Sequence, residues 1–152
     1  MQVTDILAKK SSATYTVTPS HTVAALSALL RERRIGAAVV SHDGRSVDGV
    51  VSERDIAYKL SLHGSEFAQL PVSAIMTTPV VTCRLADQVA TIASMMLSRN
   101  IRHLPAVDEQ GLLLGMVSMR DVFNVRVDEL QQETALLRTF AKDGQREPQD
   151  RE

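Results

Sequence analysis

Two heptapeptides, Gly49-Val50-Val51-Ser52-Glu53-Arg54-Asp55 and Gly115-Met116-Val117-Ser118-Met119-Arg120-Asp121, stand 66 positions apart and keep Gly, an apolar pair, Ser, Arg and Asp in the same order. At that offset Val23 also pairs with Val89, Leu26 with Ile92, Leu30 with Met96, Arg33 with Arg99 and Ile35 with Ile101. Val3 to Leu7 resembles Val72 to Met76 at an offset of 69, so the intervening segments absorb a small difference in length. An internal repeat constrains the fold more than local propensity does, since one structural plan must serve both copies. Two units of about 60–70 residues point to a pseudo-symmetric pair, because a solenoid needs three or more.

Each copy reads as β-α-β-β-α. In the first, Thr4 or Asp5 opens a short helix over 3–10, with Lys9 and Lys10 near its end, where cations suit the dipole. Thr14 to Val17 is β-rich and stops before Pro19; Ser20 or Thr22 then caps a helix over 22–34, with Val23, Leu26, Leu29 and Leu30 on one face. Ala37 to Val40 is a buried strand, Asp43-Gly44 a turn, and Val47 to Val51 the returning strand of a hairpin. A helix over 53–62 ends at Gly64, and a connector runs to Pro71. The second copy predicts helices at 72–76 and 87–99, strands at 80–83, 103–107 and 112–117, a turn at Glu109-Gln110-Gly111, and a helix from 119. The fold class is α/β (α+β) with pseudo-two-fold symmetry. Helices on a single face of each three-stranded sheet leave its other side short of cover, and stacking two copies buries it.

The last helix outruns its counterpart. Phe123, Val127, Leu130, Thr134, Leu137 and Ala141 alternate at spacings of four and three, an a/d-like seam with one polar break. A helix over 119–141 is on the order of 34 Å long. Its seam serves either the chain's own domain or a second copy, and the dimer contact is the preferred reading. Residues 142–152 are charged and read as a disordered tail.

Bulk composition excludes several classes. The 152 residues are 44% hydrophobic, which is ordinary for a globular chain. A net charge of −1 provides no global field for nucleic acid or an anionic membrane. Aromatics make up 3%, without Trp, too few for single-strand stacking platforms. The single Cys83 cannot form an internal disulfide, and neither a long apolar run nor a signal layout is present, so a cytoplasmic location is expected. No nucleophile–base pair, Gly-rich phosphate loop or Gly-x-Gly-x-x-Gly appears, so no enzymatic activity and no catalytic cofactor are expected. Cysteine and histidine spacing suggests no metal site. Cys83, Met95 and Met96 read as core, and His21, His42 and His63 as surface.

The repeated corners carry the chemistry. A strand-to-helix corner presents unpaired N–H groups and a positive dipole end, both suited to phosphate. Asp55 or Asp121 can accept two vicinal hydroxyls in charge-assisted hydrogen bonds, and Arg54 or Arg120 can meet phosphate as a fork. Gly36-Ala37-Ala38 is small enough for an adenine ring to lie on the backbone, and Arg102-His103 adds charge that partly titrates near neutrality. The structural alternative is that Ser-x-x-Asp is only a capping box.

These strings, with Pro19-x-x-Thr22-Val23, Ile35-Gly36-Ala37 and Ile101-Arg102-His103-Leu104-Pro105-Ala106-Val107-Asp108, resemble the cystathionine-β-synthase (CBS) domain. Over about residues 3–125 the chain resembles a stand-alone CBS-domain pair, or Bateman module, with repeats at 3–66 and 72–126. The resemblance implies binding of an adenine nucleotide (AMP, ADP, ATP or NAD(H)) in clefts where the corner of one repeat meets the strands of the other. One implied site joins Ser52, Arg54 and Asp55 to Thr82, Ile101, Arg102, His103 and Leu104; the second joins Ser118, Arg120 and Asp121 to Thr16, Thr18, Ile35, Gly36 and Ala37. The segment from Ile35 to Val39 lacks both a Pro and a basic residue, so the two sites are expected to differ in phosphate preference. The resemblance also implies a regulatory or sensor role, a homodimer and an unidentified protein target. The competing reading is a dimerising interaction module that binds no nucleotide.

Overall fold

The leading segments of the two repeats are exchanged. The computed structural model describes residues 1–10 and 14–143. Its elements are α1 (Val3–Lys9), β1 (Thr16–Val17), α2 (Val23–Arg33), β2 (Ala37–Val40), β3 (Gly49–Ser52), α3 (Glu53–His63), α4 (Val89–Ser98), β4 (His103–Val107), β5 (Leu113–Ser118) and α5 (Met119–Asp143). Val3 and Ile6 of α1 are buried with Cys83, Ile92, Met96, Leu104, Val117 and Val122, all from the second repeat. Val72 and Ile75, which lead the second repeat, are buried with Val17, Leu26, Ala38, Val51 and Phe67 of the first.

The exchange obeys the repeat bond for bond. Val3 and Thr4 donate their N–H groups to the carbonyls of Asp87 and Leu85, at 2.9 and 3.0 Å. Val72 and Ser73 donate to His21 and Pro19, at 2.7 and 3.1 Å. Leu7 and Met76 then cross Gly115 and Gly49 so closely that a Cβ added there would lie 2.8 Å from Leu7 Cδ2 and 2.5 Å from Met76 Sδ. At both positions an added Cβ would require that neighbouring side chain to shift.

In the first half β1 pairs parallel with β2 and β2 antiparallel with β3, in register Ala37↔Ser52 through Val40↔Gly49. In the second half only β4 and β5 form a sheet. The strand expected at 80–83 is reduced to a single parallel bridge between Cys83 and Ala106. Pro105 is the reason. Its counterpart Val39 donates an N–H to Tyr15, whereas a proline has no N–H to give.

Two helix starts differ from expectation as well. The first helix opens at Gln2, whose N–H donates to Asp5 Oδ2 at 2.7 Å, so Asp5 sits inside the first turn. The helix expected at 72–76 is one 3-10 turn, Val72–Ala74, because Thr77 already pairs in extended form with Val50. Thr22 caps α2 by accepting from the Ala25 N–H, as its sequence predicts.

The long helix docks on its own domain by a face other than the seam. Val122 and Val125 enter the second core, while Phe123, Leu130 and Leu137 of the seam are 67%, 57% and 68% exposed. Beyond Glu129, whose carboxylate meets the Met1 ammonium at 3.5 Å, every residue to Lys142 is exposed. The tail expected from 142 starts within α5, and its remainder, 144–152, lies outside the described residues. Among the described residues no helix is long and apolar enough to cross a membrane.

Ile6→Ala leaves a cavity in the second core rather than the first, at an expected cost of about 2–5 kcal/mol. Hydrogen exchange should show the loss of protection concentrated in α4, β4 and β5. Protection lost mainly from β1 to β3 would contradict the exchanged packing.

Candidate functional site

Each heptapeptide ends a strand at its serine and starts a helix at the next residue, so Ser52 and Ser118 stand at N-cap positions. Ser52 Oγ accepts from the Asp55 N–H at 3.3 Å, and the Ser52 N–H and hydroxyl donate back to Asp55 Oδ2 at 2.8 and 3.0 Å. Ser118 Oγ accepts from the Asp121 N–H at 3.2 Å, and the Ser118 N–H donates to Asp121 Oδ2 at 2.8 Å. The capping box is therefore real at both corners. It engages Oδ2 alone; neither Oδ1 accepts a hydrogen bond from the described residues.

Both corners open on clefts between the halves. A smaller cleft of about 350 Å³ brings Ser52, Arg54 and Asp55 together with Ile101, Arg102 and His103. Val50, Glu53, Tyr58, Thr77, Pro79, Val80, Val81, Arg99 and Asn100 complete its walls. A larger cleft of about 1170 Å³ brings Ser118 and Arg120 together with Ile35, Gly36 and Ala37. The remaining residues of the expected sites lie elsewhere. Thr82, Thr16 and Thr18 line neither cleft; Leu104 is fully buried in the second core. Thr18 instead bonds the His21 ring at 2.7 Å, beside the start of α2. Asp121 adjoins the larger cleft through Lys10, whose Nζ bridges Asp121 Oδ2 and the Met116 carbonyl, both at 2.8 Å.

The two carboxylates are thus unlike. Asp55 has no salt bridge among the described residues, whereas Asp121 has Lys10. Burial pushes the Asp121 carboxyl up, but hydrogen bonds from Lys10 and Ser118 outweigh it and hold the group below the ordinary carboxylate range. The pseudo-symmetric reason lies in the backbone. Val50 gives its carbonyl to the Thr77 N–H at 2.8 Å, whereas its counterpart Met116 gives its own to Lys10 Nζ.

Glu53, Arg102 and His103 line both clefts. A Cβ at Gly36 would come within 3.2 Å of His103 Cε1 and Nε2, so the imidazole lies directly on the Gly36 backbone. The positive charge expected from His103 near neutral pH is corrected by this placement. Burial pushes its pKa below the ordinary 6.5; Glu53 and Asp121 pull it up, while Lys10 and Arg102 add to the lowering. The imidazole is neutral at pH 7, and the local positive charge rests on the arginines. Cys83 is an inert core thiol, pushed up to about 12 by burial and by Asp87.

Lys10, at a helix end where cations suit the dipole but from which a lysine can also reach a neighbouring phosphate, lines the larger cleft together with the exposed Arg31, Arg33 and Arg34. Arg33 is held over the Tyr15 ring at 4.9 Å. One signal was present: Arg33 and Arg99 occupy matching repeat positions, and each lines one of the two clefts. Among the described residues no cluster of His, Cys, Asp and Glu is arranged to hold a metal ion.

The CBS domain family model matches the chain twice, at residues 3–62 and 72–128. A CBS-domain containing protein from Agrobacterium tumefaciens superposes with a TM-score of 0.77 at 31% identity, covering 83% of this chain and 99% of that one. A CBS domain protein from Pyrobaculum aerophilum, solved in complex with AMP, gives a TM-score of 0.71 at 26% identity, over 80% of this chain and 89% of that one. A protein of Methanopyrus kandleri is 31% identical over 110 residues, 72% of this chain, which there spans 56% of the relative's length. The chain belongs to the CBS domain family, and its fold is that of a tandem CBS pair with a C-terminal helix.

As pH falls through 6.5, the unfolded chain protonates His103 while the folded chain resists. Its contribution to stability is present above 6.5 and is lost below it, down to the depressed folded value. Thermal melts between pH 8 and pH 5 should show wild type losing more Tm than His103→Gln. Parallel profiles would refute the buried neutral imidazole.

Proposed function

We propose that the chain is a cytoplasmic, non-catalytic regulatory module whose two CBS repeats, about 3–66 and 72–126, hold adenosine nucleotides in the clefts between them. The observation that supports this reading is the Oδ1 that each capping aspartate leaves without a hydrogen bond from the described residues, Asp55 in the wall of the smaller cleft and Asp121 beside the larger one behind Lys10, each cleft having the opposite half's strand start as its far wall. Asp55 and Asp121 accept ribose hydroxyls there. Arg54 and Arg120, beside the helix N-termini, take phosphate oxygens. Ile101 to His103 and Ile35 to Ala37 line the base. The AMP complex of the Pyrobaculum aerophilum relative supports the ligand class. Thr16, Thr18, Thr82 and Leu104 shape strands and core around the sites rather than touching the ligand.

Regulation follows from unequal contacts. A ligand bound between two halves favours whichever arrangement of them it contacts better, and it shifts the population by no more than that difference. The exposed Phe123, Leu130 and Leu137 of α5 are where we place a second copy in a homodimer, or a protein target. The same stripe favours the second reading, an interaction module without a ligand.

Titrating AMP, ADP, ATP and NADH while following thermal stability separates the two. A ligand at a hundred times its Kd is expected to add about 2.7 kcal/mol. No shift with any of the four would favour the interaction module. Calorimetry on Asp55→Ala and Asp121→Ala should show each variant losing binding at a different cleft, with an unchanged far-UV spectrum.

A further inference from the structure

We infer that the larger cleft is a polyphosphate site, taking the di- or triphosphate or the pyrophosphate of its ligand, while the smaller cleft accepts a single phosphate. The inference deepens the nucleotide reading above and rests on it for the adenosine half of the ligand. The carrying observation is charge. The larger cleft is lined by Lys10, Arg31, Arg33, Arg34, Arg102 and Arg120 against one carboxylate, Glu53. Setting aside Lys10, which is paired with Asp121, five cations remain. The smaller cleft has Arg54, Arg99 and Arg102 against Glu53 and Asp55.

A terminal phosphate carries about −1.5 to −2 at neutral pH, and each further phosphate in a chain adds about one more charge. The smaller cleft, near neutral overall and about 350 Å³, suits one phosphate. The larger, about 1170 Å³, has both the room and the excess charge for two or three. Clustered arginines repel one another, and a cleft of one sign focuses its field on an anion that relieves that repulsion.

Cations at the end of a helix also have a mundane explanation, since they suit the C-terminal dipole. The repeat tests that explanation internally. Arg31 in α2 and Arg34 just after it correspond to Leu97 in α4 and Asn100 just after it, and only Arg33 keeps a cationic counterpart, Arg99. Lys10 corresponds to Pro79, which lines the smaller cleft. The same helix end therefore closes in the second repeat without the extra cations, so folding does not demand them. Arg31 and Arg34 are surplus charge at two matched positions, and both line the same cleft as the paired Lys10.

The test exchanges the surplus for its counterparts. Arg31→Leu and Arg34→Asn together place in the first repeat what the second already carries; Arg34 sits at φ 52°, a conformation that Asn tolerates well. Calorimetry would follow ATP, ADP, AMP and inorganic tripolyphosphate on wild type and on the double variant. The expected result is a loss of at least about tenfold for ATP and tripolyphosphate, with AMP changed by less than about threefold. Equal losses for ATP and AMP, or an unchanged ATP affinity, would overturn the polyphosphate assignment. If no adenosine ligand binds wild type, the nucleotide reading fails by itself, and tripolyphosphate then decides this one. Binding weakened in the double variant upholds it; absent or unaltered binding overturns it.

Discussion

The structure depends on the exchange of its leading segments. A three-stranded sheet with helices on one side does not bury enough apolar surface to stand alone. Here each half is completed by a segment from the sequence of the other: Val3 and Ile6 close the second core, Val72 and Ile75 the first. Each leader is fixed by two backbone hydrogen bonds at matched repeat positions and by a side chain lodged against a strand glycine. The halves are therefore tied together on both sides, and the clefts between them inherit their shape from that tie. Lys10, immediately after α1, lines a cleft because α1 is anchored in the opposite core.

At each corner the cap engages one carboxylate oxygen, which leaves the other for the ribose contact proposed above. Symmetry of the backbone does not impose symmetry of charge. Lys10 on Asp121, the arginines of α2 and the neutral His103 make two clefts of common plan but different electrostatics.

Much of the fold was legible because the repeat doubled every signal. The boundaries of α2, β2, α3 and α4 fall within a few residues of expectation, and Thr22 caps as its type predicts. The misses have physical causes. The strand at 80–83 failed on one missing N–H, at Pro105 in its partner, a defect that periodicity within 80–83 does not register. The seam of α5, whose preferred reading is a contact with a second copy, stays exposed at Phe123, Leu130 and Leu137, while Val122 and Val125 enter the core. Ser52, Arg54 and Asp55 share a cleft with Ile101–His103, and Ser118 and Arg120 share one with Ile35–Ala37, whereas Asp121, Thr16, Thr18, Thr82 and Leu104 line neither cleft. The arginines of α2 were invisible as cleft residues because a solvated helix end and the rim of a cleft look alike in one dimension. A net charge of −1 concealed their concentration on one rim.

The exchange also sets an order in time. Residues 3–9 leave the ribosome before the segment from 83 to 125 that will bury Val3 and Ile6 has been made. During that interval α1 is too short to hold helical form by itself. The first half, for its part, lacks Val72 and Ile75 until translation has passed the connector. From that point the first core is complete, since its buried residues all lie between Val17 and Ile75; only the second core must wait for a closure across a long sequence separation, the kind that proceeds slowly.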